Sequence, residues 1–365
     1  MKILWFSWKD STHPNAGGAE VVAHELATRL VKDGHEVTFV VSSYAGAPKS
    51  DTINGYRVVR LGSRYTVYYH AWRYYRQNLQ GWADLVIDEV NTIPFFAKYY
   101  AKERNILFVH MLCREIWFYQ LPKYIGWIGY ITEPIYIRLL SDRKVITVSA
   151  STRDDLVRHG FRYENISIVS EGIEFTPVNN INSINKYDKP SLLSLGSVRP
   201  MKRTLDQVRA FEIAKRTIPN LQLIVAGDNS GSYGRQVLDY IESSSHRKDI
   251  EVLGRVSKAR KQELMQKCHL LLVTSIKEGW GLVVTEAASQ GTPAIVYDVD
   301  GLRDSVRHDV TGMKAALNTP VQLAAEIDNL LTAKLTYGKF RQAAWEWSKT
   351  ITFEQSFQDM KNIVI

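Results

Sequence analysis

Lys2-Ile3-Leu4-Trp5-Phe6-Ser7, then Asn15-Ala16-Gly17-Gly18-Ala19-Glu20, then Val21 through Gly34 and His35 through Ser42: this opening stretch decides the fold. Lys2–Ser7 is a short apolar run of strand length. After the glycine-rich turn, Ala19, Val22, Ala23, Leu26, Ala27 and Leu30 recur at helical spacing and mark one face of a helix. Gly34 stops that helix, and the apolar run His35–Ser42 reads as the next strand. Strand, helix, strand in this order is the unit of a parallel, doubly wound sheet.

The alternation continues outward. Further strands are expected at Tyr56–Leu61, Asp84–Ile87, Ile106–Val109, Lys144–Val148 and Ile166–Val169. Around Glu171–Pro190 the pattern lapses into polar, Asn-rich sequence, the best place for a domain boundary. It restarts at Ser191–Leu195, Leu221–Ala226, Ile250–Leu253, Leu270–Thr274 and Pro293–Tyr297, and from about Val321 the chain reads as helical to its end. The reading is therefore an α/β protein of two Rossmann-like domains: 1–172, a linker at 173–190, and 191–350, with 351–365 packing back on the first domain. Such sheets take ligands beyond the carboxyl ends of their strands, so the cleft between the domains is the expected active site.

The 365 residues suit two domains, and 45% hydrophobic with 23% charged residues is ordinary for a globular chain. Two distant cysteines, Cys113 and Cys268, make no disulfide framework and no metal cluster, which points to a reducing, cytoplasmic compartment. The apolar run at the N-terminus is too short for a signal-peptide core, and the apolar segment near Tyr124–Leu140 is interrupted by Glu133-Pro134, against a spanning helix. A net charge of +8 favours an anionic partner without choosing among nucleotide phosphates, acidic lipid and nucleic acid.

The most informative string is Glu278-Gly279-Trp280-Gly281-Leu282-Val283-Val284-Thr285-Glu286-Ala287. It follows a buried strand and opens a helix, whose first amides are unpaired donors and form an anion site. The two carboxylates can accept hydrogen bonds from hydroxyls, one from a sugar and one from a ribose. Gly196-Ser197-Val198-Arg199-Pro200-Met201-Lys202-Arg203 brings cations to another strand end, where they can stabilise charge developing on a leaving diphosphate. The Asn15–Glu20 turn lacks the G-x-G-x-x-G dinucleotide fingerprint, although its amides could still face a phosphate or the acceptor.

Taken together, these strings resemble the retaining family-four glycosyltransferases of GT-B fold. The resemblance is carried by the E-x7-E pattern, by Gly17-Gly18-Ala19-Glu20, by Thr147–Ser151 closing a later strand, and by Gly196–Lys202. It implies two sheets facing across a cleft, with the nucleotide-sugar donor on the second domain and the acceptor on the first. Catalytic roles then fall on His110, Glu278 and Lys202. The resemblance implies a diphosphate held by Gly17, Gly18, Arg199, Lys202, Gly279, Gly281 and Leu282, a ribose by Glu286, and a base by Arg255 and Val256. The family has an arginine where Ser197 stands and an asparagine where Glu171 stands, and Arg199 is the candidate to take over the first. Asp298-Val299-Asp300 invites a metal reading, but the family has a metal-free turn there, so no metal and no cofactor are expected.

The implied reaction moves a sugar from a UDP-, GDP- or ADP-sugar to a hydroxyl acceptor, with retention, in polysaccharide or glycolipid synthesis. The rival readings are a non-catalytic sugar-nucleotide-binding protein and an NAD-dependent oxidoreductase, the latter opposed by the missing fingerprint. From Arg57 to Arg76 lie five arginines, six aromatics and no acid. That stretch suits either a helix packed on the sheet or an anionic membrane at the inner face of the cell, with a glycan or lipid-linked acceptor. A nucleic-acid partner is not expected.

Overall fold

The structure, a computed structural model, describes residues 1–332 and 334–365. It divides into two compact units. The first comprises 1–114, 127–172 and 353–365, and the second 115–126 and 173–352.

Among the described residues, the first unit holds a sheet of β1 (Lys2–Phe6), β2 (Glu36–Ser42), β3 (Ser50–Ile53), β4 (Tyr56–Leu61), β5 (Leu85–Val90), β6 (Arg104–Val109), β7 (Lys144–Thr147) and β8 (Ile166–Ile168). Their order is β3-β4-β2-β1-β5-β6-β7-β8, parallel except for the β3/β4 pair. Every residue of β5 is buried, as a central strand covered on both faces requires. Helices α1 (Gly18–Lys32), α2 (Val67–Tyr74), α3 (Trp117–Gln120), α4 (Lys123–Leu139) and α5 (Ala150–Arg158) fall between these strands in sequence. α1 buries Val22, Ala23, Leu26, Ala27 and Leu30, the face read from their spacing. The second unit orders β9 (Ser191–Leu195), β10 (Gln222–Ala226), β11 (Ile250–Gly254), β12 (Leu270–Val273), β13 (Ala294–Tyr297) and β14 (Gly312–Ala315) as β11-β10-β9-β12-β13-β14, all parallel. Its helices are α6 (Thr204–Ala214), α7 (Ser232–Glu242), α8 (Lys258–Lys267), α9 (Leu282–Ser289), α10 (Leu302–Ser305), α11 (Pro320–Thr332) and α12 (Lys334–Ser348). Two α/β units with parallel sheets are the architecture expected from the alternation.

Two features depart from the sequence reading. β3 and β14 lie outside the expected strands. The first pairs with β4 through Asn54-Gly55, both at positive φ (47° and 91°), a two-residue hairpin turn that suits these residues. Residues 115–126 group with the second unit, where α3 packs on the Pro200–Lys202 turn and Gln120 Nε2 lies 3.7 Å from Met201 Sδ. The helical C-terminal region ends in α13 (Phe353–Val364), which packs on α1 within the first unit. Gly172 has no room for a side chain, since a Cβ there would lie 2.3 Å from Phe353 N. Ala333, inside the stretch expected to be helical, lies outside the described residues.

Candidate functional site

The residues expected on the donor side lie past the carboxyl ends of β9, β11 and β12 in the second unit. Gly196 leaves β9 at φ 134° with open space where a side chain would sit. Gly227 leaves β10 at φ 147°, so close that a Cβ would fall 1.9 Å from Gly196 O. Only glycine fits there. The chain then winds through a single turn, Pro200–Lys202, and exits at Arg203 in the left-handed region (φ 49°). Thr274, just past β12, donates to the Lys202 carbonyl at 2.8 Å and accepts from Gln207 Nε2 at 2.9 Å. The Ile276 amide donates to Met201 O at 2.8 Å. The β12 exit thus fixes the backbone that carries Lys202.

The same exit carries Glu278, and the structure joins the two: the Lys202 ammonium donates to Glu278 Oε1. Ser275 Oγ donates to that oxygen as well, at 2.5 Å. Both side chains remain partly open, 25% for Lys202 and 15% for Glu278. Arg199, one turn earlier, is exposed and makes no ion pair with a described residue. Gly281 caps α9 at φ 97°, and a Cβ there would lie 2.7 Å from Leu302 Cδ2. The amides of Leu282 and its neighbours open α9 four residues after Glu278, and the first amides of a helix favour an anion.

Glu286 lies one turn into α9 and is buried. Burial raises its carboxyl above the usual range, opposed by Lys261 of α8, whose Nζ is 2.7 Å from Oε2. The sequence reading missed Lys261. Arg255, read as a base contact, is mostly exposed and donates to Asp228 Oδ2 at 3.0 Å, while Val256 is half-buried against the core. Asp298 and Asp300 are held by cations: Arg303 Nε stands 3.0 Å from Asp298 Oδ1, and Lys277 Nζ stands 3.2 Å from Asp300 Oδ2.

In the first unit, His110 stands at the end of β6, buried and stacked on Phe108 with ring centroids 4.5 Å apart. Its Nε2 is 3.3 Å from Glu89 Oε1, and its Nδ1 is 3.7 Å from Glu171 Oε1, a distance at which the attraction is electrostatic. Burial alone would lower the imidazole, but Glu171 and Glu89 together outweigh it and raise it to about 9. His110 is therefore an imidazolium at neutral pH. Glu89, missed from sequence, is itself held by Trp5 Nε1 at 2.7 Å. Its neighbour Asp88 accepts the Phe95 and Ala97 amides, yet burial keeps its carboxyl raised to about 6.

In the Gly17-Gly18 loop the Gly17 amide is engaged within the chain. The Gly17 N–H donates to Glu20 Oε2 at 2.6 Å, and Lys9 Nζ stands 3.3 Å from the other Glu20 oxygen. Glu20 itself occupies the anion position at this helix start. The arginine-rich stretch also divides. Arg60 is buried on Asp10 (2.8 Å), and Tyr75 is buried with its hydroxyl on Glu103 (2.6 Å), whereas Tyr65, Tyr69, Trp72, Arg73 and Arg76 face outward. α2 packs its inner side on the sheet.

Two sequence families match the chain. One, described as Glycosyltransferase Family 4, spans residues 16–176, and the other, Glycosyl transferases group 1, spans 179–347. A glycogen synthase from Mycobacterium tuberculosis is 23% identical over 361 residues, covering 91% of this chain and 86% of that protein. Among solved structures, sucrose-phosphate synthase from Thermosynechococcus elongatus aligns with a TM-score of 0.80 at 18% identity, over 99% of this chain and 98% of that one. Anabaena HepE in complex with UDP-glucose aligns at 0.72 and 17% identity, over 100% and 99%.

Proposed function

The chain belongs to the family-four, group 1 glycosyltransferases of GT-B fold, and from that premise we propose that it is a retaining hexosyltransferase using a nucleoside-diphosphate sugar, a UDP-sugar first among the candidates. The acceptor is a hydroxyl of a glycan or lipid-linked saccharide in polysaccharide or glycolipid synthesis, met at the inner face of a membrane. The observation that carries this reading is the junction of Lys202, Glu278 and the α9 N-terminus, formed where two strands end side by side. The family match disfavours the oxidoreductase alternative, whereas a cation placed for a diphosphate would also serve a protein that only binds sugar nucleotides, so turnover is what separates the two.

In this reading Lys202, Arg199 and the amides from Gly279 to Leu282 hold the diphosphate. They stabilise the charge that grows on it as the glycosidic bond breaks, in a site already organised before reaction. Glu278 binds hydroxyls of the transferred sugar and Glu286 the ribose. The His110 imidazolium, fixed by two carboxylates, is the first unit's hydrogen-bond donor to a sugar or acceptor hydroxyl. The departing phosphate takes the acceptor proton, which leaves no task for a protein nucleophile or a metal. The test is turnover of UDP-, GDP- and ADP-sugars with a panel of saccharide acceptors, read by mass spectrometry and by product anomeric configuration, with and without EDTA. Turnover unaffected by EDTA and a product keeping the donor's configuration are expected. An inverted product, or activity abolished by EDTA and restored by manganese, overturns the corresponding part of the reading.

A further inference from the structure

Helix α4 carries an apolar stripe outward as well as inward-facing residues. On the inner side Gly126, Gly129, Glu133 and the core residue Ile137 are buried, and the Glu133 carboxylate accepts the amides of Cys113 (2.7 Å) and Arg114 (2.6 Å). Pro134 has no N–H for the Tyr130 carbonyl one turn back, and Arg114 Nη1 donates to that carbonyl instead at 3.0 Å. The outer side carries Tyr124, Trp127, Ile128, Ile131, Ile135 and Leu139 at i, i+3, i+4, i+7, i+11 and i+15, a single stripe. Each of these side chains is more than half exposed, from 53% for Leu139 to 71% for Tyr124. A contiguous apolar stripe of this kind is not ordinary surface and marks an interaction site.

The charges around the stripe say which partner fits. Lys123 begins the helix and Arg138 lies in its last turn, both exposed, while the helix's one acid, Glu133, is turned inward. Lys98 donates to the Leu139 carbonyl at 2.7 Å, and Asp142 is shared by Lys98 and Arg143, both at 2.7 Å, leaving this end cationic. Exposed Tyr99, whose hydroxyl is 3.3 Å from Leu139 O, adds an aromatic rim at that end, as Tyr124 and Trp127 do at the other. Antiparallel pairing of the stripe with a second copy would set Lys123 of one chain against Arg138 of the other, like charge on like. An apolar centre between aromatic and cationic ends is the pattern of a helix lying in an anionic lipid interface.

We propose that α4 is the membrane-docking element, seated among the head groups of an anionic bilayer with its stripe in the acyl boundary. The arginine-rich α2 region is secondary to it. The assignment deepens the peripheral location proposed above and is independent of the transfer chemistry, so vesicle binding and turnover on a water-soluble acceptor are separate readouts. Among the described residues no helix is long and apolar enough to cross a membrane, and docking here needs none.

The experiment is co-sedimentation of the full chain with vesicles of phosphatidylcholine alone and with phosphatidylglycerol added. Two double variants are compared: Ile131→Ser with Ile135→Ser, and Lys123→Glu with Arg138→Glu. All four positions are exposed, and circular dichroism checks that the fold is kept. Anionic vesicles should capture the parent chain, and the isoleucine pair should lower the bound fraction at least tenfold. The charge-reversed pair should lose the preference for anionic lipid. Quenching of tryptophan fluorescence by head-group-proximal spin-labelled lipid should fall in Trp127→Phe. Failure of vesicles to capture the parent chain, or binding unchanged in the isoleucine pair, overturns the proposal. So does a dimer in solution that the isoleucine pair dissociates, since the stripe would then belong to a second copy.

Discussion

Replacing Gly301 with alanine should damage both stability and turnover, although the residue carries no chemistry. Gly301 holds φ 78° and ψ −51°, close to a strained γ-turn conformation that a side chain makes costly. A Cβ there would lie 2.3 Å from Glu278 O and 2.6 Å from Glu278 C. Real contacts of this kind do not fall below 3.0 Å, so one backbone must move by at least about 0.7 Å. The Glu278 amide already donates to Asp300 O at 3.0 Å, so the two segments are pinned together and Glu278 moves with the turn. The conformational cost is about 1–3 kcal/mol, to which the displacement adds. A catalytic group shifted by about 1 Å can lose up to roughly 100-fold in rate, so turnover should fall by at least about tenfold. Gly338, on α12 with nothing within 4 Å of its absent Cβ, is the control, and alanine there should gain about 0.5–1 kcal/mol. The assays are chemical unfolding and steady-state kinetics on both variants. Gly301→Ala with an unchanged unfolding midpoint and unchanged turnover would refute the reasoning that this turn holds Glu278 in place.

The other expectations follow from the charges. Lys202→Ala should slow turnover by about 100-fold or more in a folded protein, as removal of a preorganised donor does; near-normal kinetics would break the diphosphate assignment. Glu278→Gln releases the Lys202 ammonium from its carboxylate, so nucleoside diphosphate should bind roughly tenfold tighter, about 1.4 kcal/mol, while turnover falls; calorimetry showing tenfold weaker binding contradicts this. Lys261→Met removes the cation that holds the Glu286 carboxyl down, so KM for the donor should rise and become sensitive to pH, improving as Glu286 ionises on the alkaline side; a KM and pH profile like the parent's would clear Lys261 of any role. For His110, with a folded value of about 9 against 6.5 for an ordinary imidazole, the stabilisation is fully present below about pH 6.5 and lost as pH rises through 9. Its size is on the order of 3 kcal/mol. Unfolding midpoints at about pH 6 and pH 9.5 should differ in the parent and converge in His110→Gln; equal slopes would show that the two glutamates do not hold an imidazolium.

The parallel α/β architecture was legible because each core strand is covered on both faces and so writes a continuous apolar run. β3 was not, because half-exposed Ser50–Ile53 writes no such run, and its signal was the Asn54-Gly55 turn alone. Lys202 and Glu278 could be picked out as chemistry because they stand on loops that leave strand ends, and Glu286 because it completes the Glu278–Glu286 spacing. Glu89 was hidden by the opposite circumstance, since it sits inside a wholly buried strand, and an acid there needs partners that the fold supplies from Trp5 of β1 and His110 of β6. Lys261 lies in α8, a helix of mostly polar residues, where lysine is ordinary surface until α9 is laid beside it. Arg60 erred the other way: an arginine in an acid-free stretch looked available to lipid, and Asp10, far upstream in sequence, had already claimed it.

One physical rule connects these misses. Read one residue at a time, each charge near a strand end looked free for a ligand. In the folded chain most of them answer another charge: Lys202 with Glu278, Lys261 with Glu286, Lys277 with Asp300, Lys9 with Glu20, and His110 with Glu89 and Glu171. The reason is the high cost of an ion that is partly desolvated and has no partner. A donor entering such a site does not meet bare cations. In the proposed site its phosphates replace a carboxylate at Lys202, and its sugar hydroxyls then satisfy the carboxylate displaced. Binding is an exchange, so it selects for a ligand that presents an anion and hydroxyls together, at the spacing of Lys202 and Glu278. Inorganic phosphate offers only the first half, and a free sugar only the second. A nucleoside-diphosphate sugar offers both, and that pairing of demands favours this donor class more strongly than any one of the residues does.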